Sequence, residues 1–107
     1  TNTSRQPGSP SFVITSNTWY HAVGVENHDN GDNVSLYVNG NYIGNNSYGY
    51  TATQYTGVAN QVRVGCQKQG FGRFLRGQVS NVQLYNRSLS ADEIKQLFNS
   101  MRGRYGL

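Results

Sequence analysis

The chain is short of cysteine, proline, charge and long apolar runs, and each shortage excludes something. Cys66 is the only cysteine in 107 residues, so no intrachain disulfide framework can staple the fold. A single thiol within a β-rich run reads as a small buried hydrophobe. Both prolines, Pro7 and Pro10, fall in the polar stretch Thr1 to Ser11, which reads as an N-terminal arm or linker. Nine Lys and Arg against five Asp and Glu give a net charge of +4. That balance permits an anionic partner without requiring one. No apolar run approaches the length of a membrane span, and no signal-peptide pattern stands at the start. The first residue is Thr1 rather than Met, so a processed chain, or one cut from something longer, is expected.

What the chain does have is glycine, asparagine, tyrosine, serine and threonine, a composition suited to short strands and tight turns rather than to a helical bundle. Its length fits one domain. Phe12 to Thr15 is a short strand candidate, broken by Ser16-Asn17-Thr18. Trp19 to Glu26 alternates, with Trp19, His21, Val23 and Val25 on one face. After the polar turn Asn27 to Asp32, Asn33 to Asn39 alternates again with Val34, Leu36 and Val38 inward. Asn39-Gly40 is a strong hairpin signal, because both turn residues need positive φ, and Asn41 to Gly44 should pair back across it. Gln61 to Cys66 and Gly77 to Tyr85 are further strands, and Asn45 to Asn60 is a long loop with one edge strand. The count is seven or eight strands.

One helix is expected, over the segment after Leu89. Ser90 can accept from the backbone of Glu93, and Glu93 can reach back to Ser90, a capping box. Leu89 and Ile94 are spaced as a hydrophobic staple, and Asp92 and Glu93 suit the positive end of the helix dipole. Ile94, Leu97, Phe98 and Met101 form one apolar face. Gly103 is expected to close the helix in a left-handed conformation, with Arg102 and Arg104 at its negative end. So short a helix must lie on something, and the composition makes that something a sheet.

These residues resemble a known family. Trp19-x-His21, then Val34-x-Leu36-Tyr37-Val38-Asn39-Gly40, then Val62-x-Val64-Gly65 are similar in spacing to the laminin-G-like branch of the concanavalin A-like lectin/glucanase superfamily. Phe74-x-x-Gly77-x-Val79-x-x-Val82-x-Leu84-Tyr85-Asn86-x-x-Leu89-Ser90-x-x-Glu93-Ile94 completes the resemblance, which runs from Phe12 to Met101. It implies an all-β, antiparallel jelly-roll β-sandwich over residues 12–107 with one short C-terminal helix. The segment Asn86 to Leu107 is also similar to such modules in phage and viral structural proteins. In the family, opening strands precede the one that matches Phe12. Their absence implies a trimmed domain, a neighbouring subunit that supplies them, or a piece of a larger protein, and the last two are favoured. A larger assembly or a homo-oligomer is the expected setting.

The chemistry available is limited. The glucanase branch uses paired carboxylates on one strand, and acid–base hydrolysis needs two such groups flanking the bond. Here Glu26 is the only acid within an expected strand; Asp29 and Asp32 sit in a turn, and Asp92 and Glu93 belong to the helix cap. Ser35, His21 and Asp29 could be written as a triad, but no nucleophile elbow supports it. The chain is therefore expected not to be an enzyme. Some family members bind Ca²⁺ through a loop Asp. Asp29 and Asp32, with Asn30 and Asn33, offer oxygen ligands for such an ion, although Asx residues equally make a tight turn with no cofactor at all. His21 reads as a packed histidine, and with His28 it lacks metal-ligand spacing.

Two surfaces can bind. The first is the uncharged stretch beginning at Asn45 and Asn46 and carrying Tyr48, Tyr50 and Tyr55. Tyrosine rings stack on sugars and amides bond hydroxyls, although the same set suits a protein partner or a loop packed on itself. The second is Arg63, Lys68, Arg73 and Arg76 with Phe71 and Phe74, which nucleic acid or an acidic polysaccharide could use; turn charges of this kind more often only solubilise, and nucleic acid is not expected. Asn-x-Ser/Thr triplets at Asn2, Asn33, Asn45 and Asn86 matter only in a eukaryotic secretory pathway. The reading is a non-catalytic module, carbohydrate-binding or adhesive, on a virion surface or another extracellular assembly. The alternative is a purely structural capsid or tail decoration domain without glycan affinity.

Overall fold

The computed structural model describes residues 12–27, 33–47, 64–66 and 74–107. The chain divides into two units, one of Thr1–Thr53 with Asn86–Leu107 and the other of Gln54–Tyr85.

The first unit is built on a three-stranded antiparallel sheet in the order β1-β2-β3: β1 is Ala22–Asn27, β2 Asn33–Val38 and β3 Asn41–Ser47. β2 and β3 are joined by the expected two-residue hairpin. Asn39 (φ 50°) and Gly40 (φ 77°) both adopt the left-handed conformation, whose twist matches the flanking strands. Asn39 also anchors the start of β1. Its N–H donates to the His21 carbonyl at 2.8 Å, and its side-chain oxygen accepts from the His21 N–H at 2.9 Å.

The register decides the faces. Leu36 pairs with Gly44 but Tyr37 with Tyr42, so Ile43 is the extra residue of a β-bulge. Across β1 and β2, Val23 pairs with Tyr37 and Val25 with Ser35, while Val38 pairs with Ala22, Leu36 with Gly24 and Val34 with Glu26. Cross-strand partners share a face. The valines of β1 and the apolar trio of β2 therefore lie on opposite sides of the sheet, a division that two separate alternating patterns cannot reveal.

Helix α1, Ala91–Met101, has the cap its sequence foretells. Ser90 Oγ accepts from the Glu93 N–H at 3.2 Å, and Glu93 Oε1 accepts from the Ser90 N–H at 3.1 Å. Both staple residues are buried, and Ile94 is sealed completely at 0% exposure. Phe98 is buried, with Leu97 and Met101 half-buried beside it. The helix does not end at Gly103. It tightens into a 3₁₀ turn, Arg102–Tyr105, and Gly106 (φ 69°) takes the left-handed position, with the Leu107 N–H donating to the Arg102 carbonyl. The extra turn brings the Tyr105 ring to 5.2 Å from Trp19, a contact that a stop at Gly103 would forgo.

Other expectations are corrected. Residues 12–15 form no strand; Val13 and Ile14 are exposed, and the segment closes in a turn at Asn17 (φ 58°). The strand expected from Trp19 begins only at Ala22, because Trp19 is taken up by Tyr105 and His21 by the hairpin. In the second unit, Cys66 and Phe74 form an isolated antiparallel bridge, continued by a 2.7 Å bond from the Leu75 N–H to the Gly65 carbonyl. Residues 77–85 form neither strand nor helix, and Leu84 is 78% exposed. A strand requires a ladder partner, and apolar side chains do not by themselves provide one. Cys66 is half-buried rather than enclosed. Of the expected jelly roll, the described residues hold three strands and the helix.

Candidate functional site

The bulge at Ile43 builds a surface. Because one extra residue separates the Tyr37–Tyr42 and Ser35–Asn45 pairs, Tyr42 and Asn45 come to the same face of the sheet although they are three residues apart. Tyr37 and Tyr42 meet edge to face, with ring centroids 5.4 Å apart at 62°, an arrangement that suits the ring quadrupoles. Tyr37 is half-buried and holds the pair in place, whereas Tyr42 is 55% exposed. Asn45 is exposed beside Ser35, and Val23 and Val25 continue the same face on β1.

Val23, Val25, Asn27, Asn33, Ser35, Tyr37, Tyr42 and Asn45 lie on this face among the described residues, and none of them is Asp, Glu, Lys, Arg or His. Glu26 pairs with Val34 on the opposite face. The surface therefore offers an exposed aromatic ring, an amide that both donates and accepts, and a hydroxyl. Such a set can stack on an apolar ring face and bond the hydroxyls around it.

Only part of the expected binding set comes together here. Asn45 joins the tyrosine face, but Asn46 pairs with Val34 and lies on the other side. Tyr48, Tyr50 and Tyr55 are outside the described residues, as are the candidate calcium ligands Asp29 and Asp32. Asn33 begins β2, paired with Asn27. Of the basic and aromatic cluster, Arg76 and Phe74 are exposed, and Arg63, Lys68, Phe71 and Arg73 lie outside the described residues. No group of three or more His, Cys, Asp or Glu that could hold a metal occurs among the described residues. In the sequence Tyr37 stands out only within the stretch that resembles the family, and Tyr42 does not stand out at all. Their signal was a tyrosine on either side of Asn39-Gly40, with a bulge that the sequence does not announce.

Among the described acids, Glu93 serves the helix cap. Glu93 is gripped by both Arg87 guanidinium nitrogens in addition to its cap bond. Those hydrogen bonds, Arg87 first and the Ser90 backbone second, hold its carboxyl down at about 2. His21 stacks on Phe98 with ring centroids 6.0 Å apart, and burial pushes its imidazole below the ordinary value of 6.5.

The geometry agrees with the relationships of the chain. A laminin-G family model of the concanavalin A-like lectin/glucanases superfamily matches residues 1–95. The fold is also similar to the crystal structure of an S-layer domain-containing protein from Clostridium thermocellum, at a TM-score of 0.53 and 27% identity. The match covers 82% of this chain and 42% of that one, so the chain spans less than half of the structure it resembles. No curated protein matches the chain. No helix among the described residues is long and apolar enough to cross a membrane.

Proposed function

Since this chain belongs to the concanavalin A-like lectin/glucanases superfamily, we propose that it is a non-catalytic module that binds neutral glycans through the Tyr37–Tyr42–Asn45 face. The observation that carries the reading is the exposed Tyr42 ring, braced edge-on by Tyr37 and flanked by Asn45 on an uncharged face. A braced ring stacks on a sugar with little further ordering cost, and Asn45 supplies directional bonds to hydroxyls. The absence of charge on the described part of that face favours neutral over sulfated or uronic sugars. The setting we assign is the outside of a cell or particle, in line with the S-layer protein to which the fold is similar. The described acids favour a non-catalytic role, because Glu93 is committed to the helix cap and Glu26 lies on the face away from Tyr42.

An array of neutral and anionic glycans, probed with wild type and Tyr42→Ala, tests this reading. Binding confined to neutral glycans and abolished by the substitution is expected; binding that survives it contradicts the assignment of the face. A second reading, an architectural module, is favoured by exposed Phe74, Val82 and Leu84. It predicts concentration-dependent self-association in analytical ultracentrifugation, with no glycan bound.

A further inference from the structure

The C-terminal helix meets the Asn39-Gly40 hairpin, and His21 lies in the contact. Phe98 stacks on His21 at an interplanar angle of 27°. Lys95 Nζ donates to Asn41 Oδ1 at 3.3 Å. Gly40 is approached so closely that a Cβ there would lie 2.9 Å from Lys95 Cδ and 3.1 Å from Phe98 Cδ2. His21 Nδ1 is buried and has no hydrogen-bond partner among the described residues. A neutral imidazole tolerates that position at modest cost. An imidazolium must place an N–H donor and a positive charge there without an acceptor.

Among the described residues, the charges named at this contact are those of Lys95 and Arg102. Lys95 reaches over the turn from α1, and the Arg102 guanidinium sits 5.0 Å from the Phe98 centroid. The hairpin and Asn41 bring no charge, and the Tyr105 phenol belongs to the Trp19 contact. The helix acids are at its far end, where Asp92 occupies the first turn and Glu93 is taken up by Arg87. On β1, Glu26 stands five residues along the chain from His21, and among the described residues it is burial, not a carboxylate, that moves the His21 imidazole.

We infer that His21 is an acid-sensitive latch, which holds the C-terminal helix on the hairpin when neutral and releases it when protonated. The direction follows from linkage. The folded state holds its proton on His21 less tightly than the unfolded chain does, so docking is complete above about pH 6.5 and weakens as the pH falls below that value. The helix cap does not share this window, because Glu93 stays ionised down to about 2.

The molecule carries its own reporter. Trp19 is the only tryptophan, and it rests on Tyr105 of the 3₁₀ turn that follows the helix. Trp19 emission of the intact chain should therefore shift between pH 8 and pH 4.5, with a midpoint below 6.5. The shift should vanish in His21→Leu and persist in His28→Gln, the chain's other histidine. A flat profile in wild type, a shift that survives in His21→Leu, or one that disappears in His28→Gln would each overturn the latch. A proton NMR titration of His21 in wild type is independent of how the variants fold. It should give a value under 6.5, and a value at or above 6.5 removes the basis of the proposal.

Discussion

Residues 77–85 and 89–101 both carry several large apolar side chains, yet the structure treats them in opposite ways. The second becomes a helix whose Ile94 is fully enclosed; the first leaves Val79, Val82 and Leu84 at least half exposed and forms no strand. The difference lies in where the hydrogen-bond partners are found. A helix satisfies its backbone within the segment, and here Ser90 and Glu93 close its open end as well. A strand depends on a second segment brought from elsewhere in the chain, and nothing within nine residues specifies that segment. Local structure was thus set by local sequence in one region and left open in the other.

Substitutions can break or sharpen this contrast. Ile94→Ala should have the largest effect, a loss of about 2–5 kcal/mol in denaturant unfolding, because it empties a fully buried site. Gly40→Ala comes next, at about 1–2 kcal/mol, since its φ of 77° disfavours any side chain and a Cβ would press on Phe98. Its effect should appear in the same melt together with a red shift of Trp19 emission. Ser90→Ala should cost about 1 kcal/mol, seen as lost helical circular dichroism on mild heating. Acid should remove the cap's contribution only as Glu93 is protonated, between its ordinary 4.5 and about 2; in His21→Leu, where the histidine no longer titrates, helix content should hold down to about pH 4 and fall below it. Val82→Ser should have the smallest effect, within about 0.5 kcal/mol. A loss as large as that of Ile94→Ala would mean that residues 77–85 are packed in solution, and the contrast between the regions would disappear.

How much was legible follows the same division. The capping box, the staple, the apolar helix face and the Asn39-Gly40 turn were all readable, because each is defined by residues a few positions apart. The helix end was misjudged at Gly103, since the Trp19–Tyr105 contact that extends it joins residues far apart in sequence. The proposed tyrosine face is half legible. Asn45 was picked out, but its separation from Asn46 and its union with Tyr37 and Tyr42 depend on the pairing register and on Ile43 standing out of the ladder. A slip of one residue would exchange the two faces. Side-chain chemistry could therefore be read without the register, but not which residues act together.

The most direct test of the central claim is an amide NMR titration of the intact chain with neutral hexasaccharides (cellohexaose, maltohexaose and chitohexaose). Shift changes concentrated at Tyr37, Tyr42, Asn45 and Ser35, with Val34, Leu36 and Asn46 undisturbed, are what the tyrosine face predicts. Changes centred on Val34 and Asn46, or no changes with any of the three sugars, would contradict it.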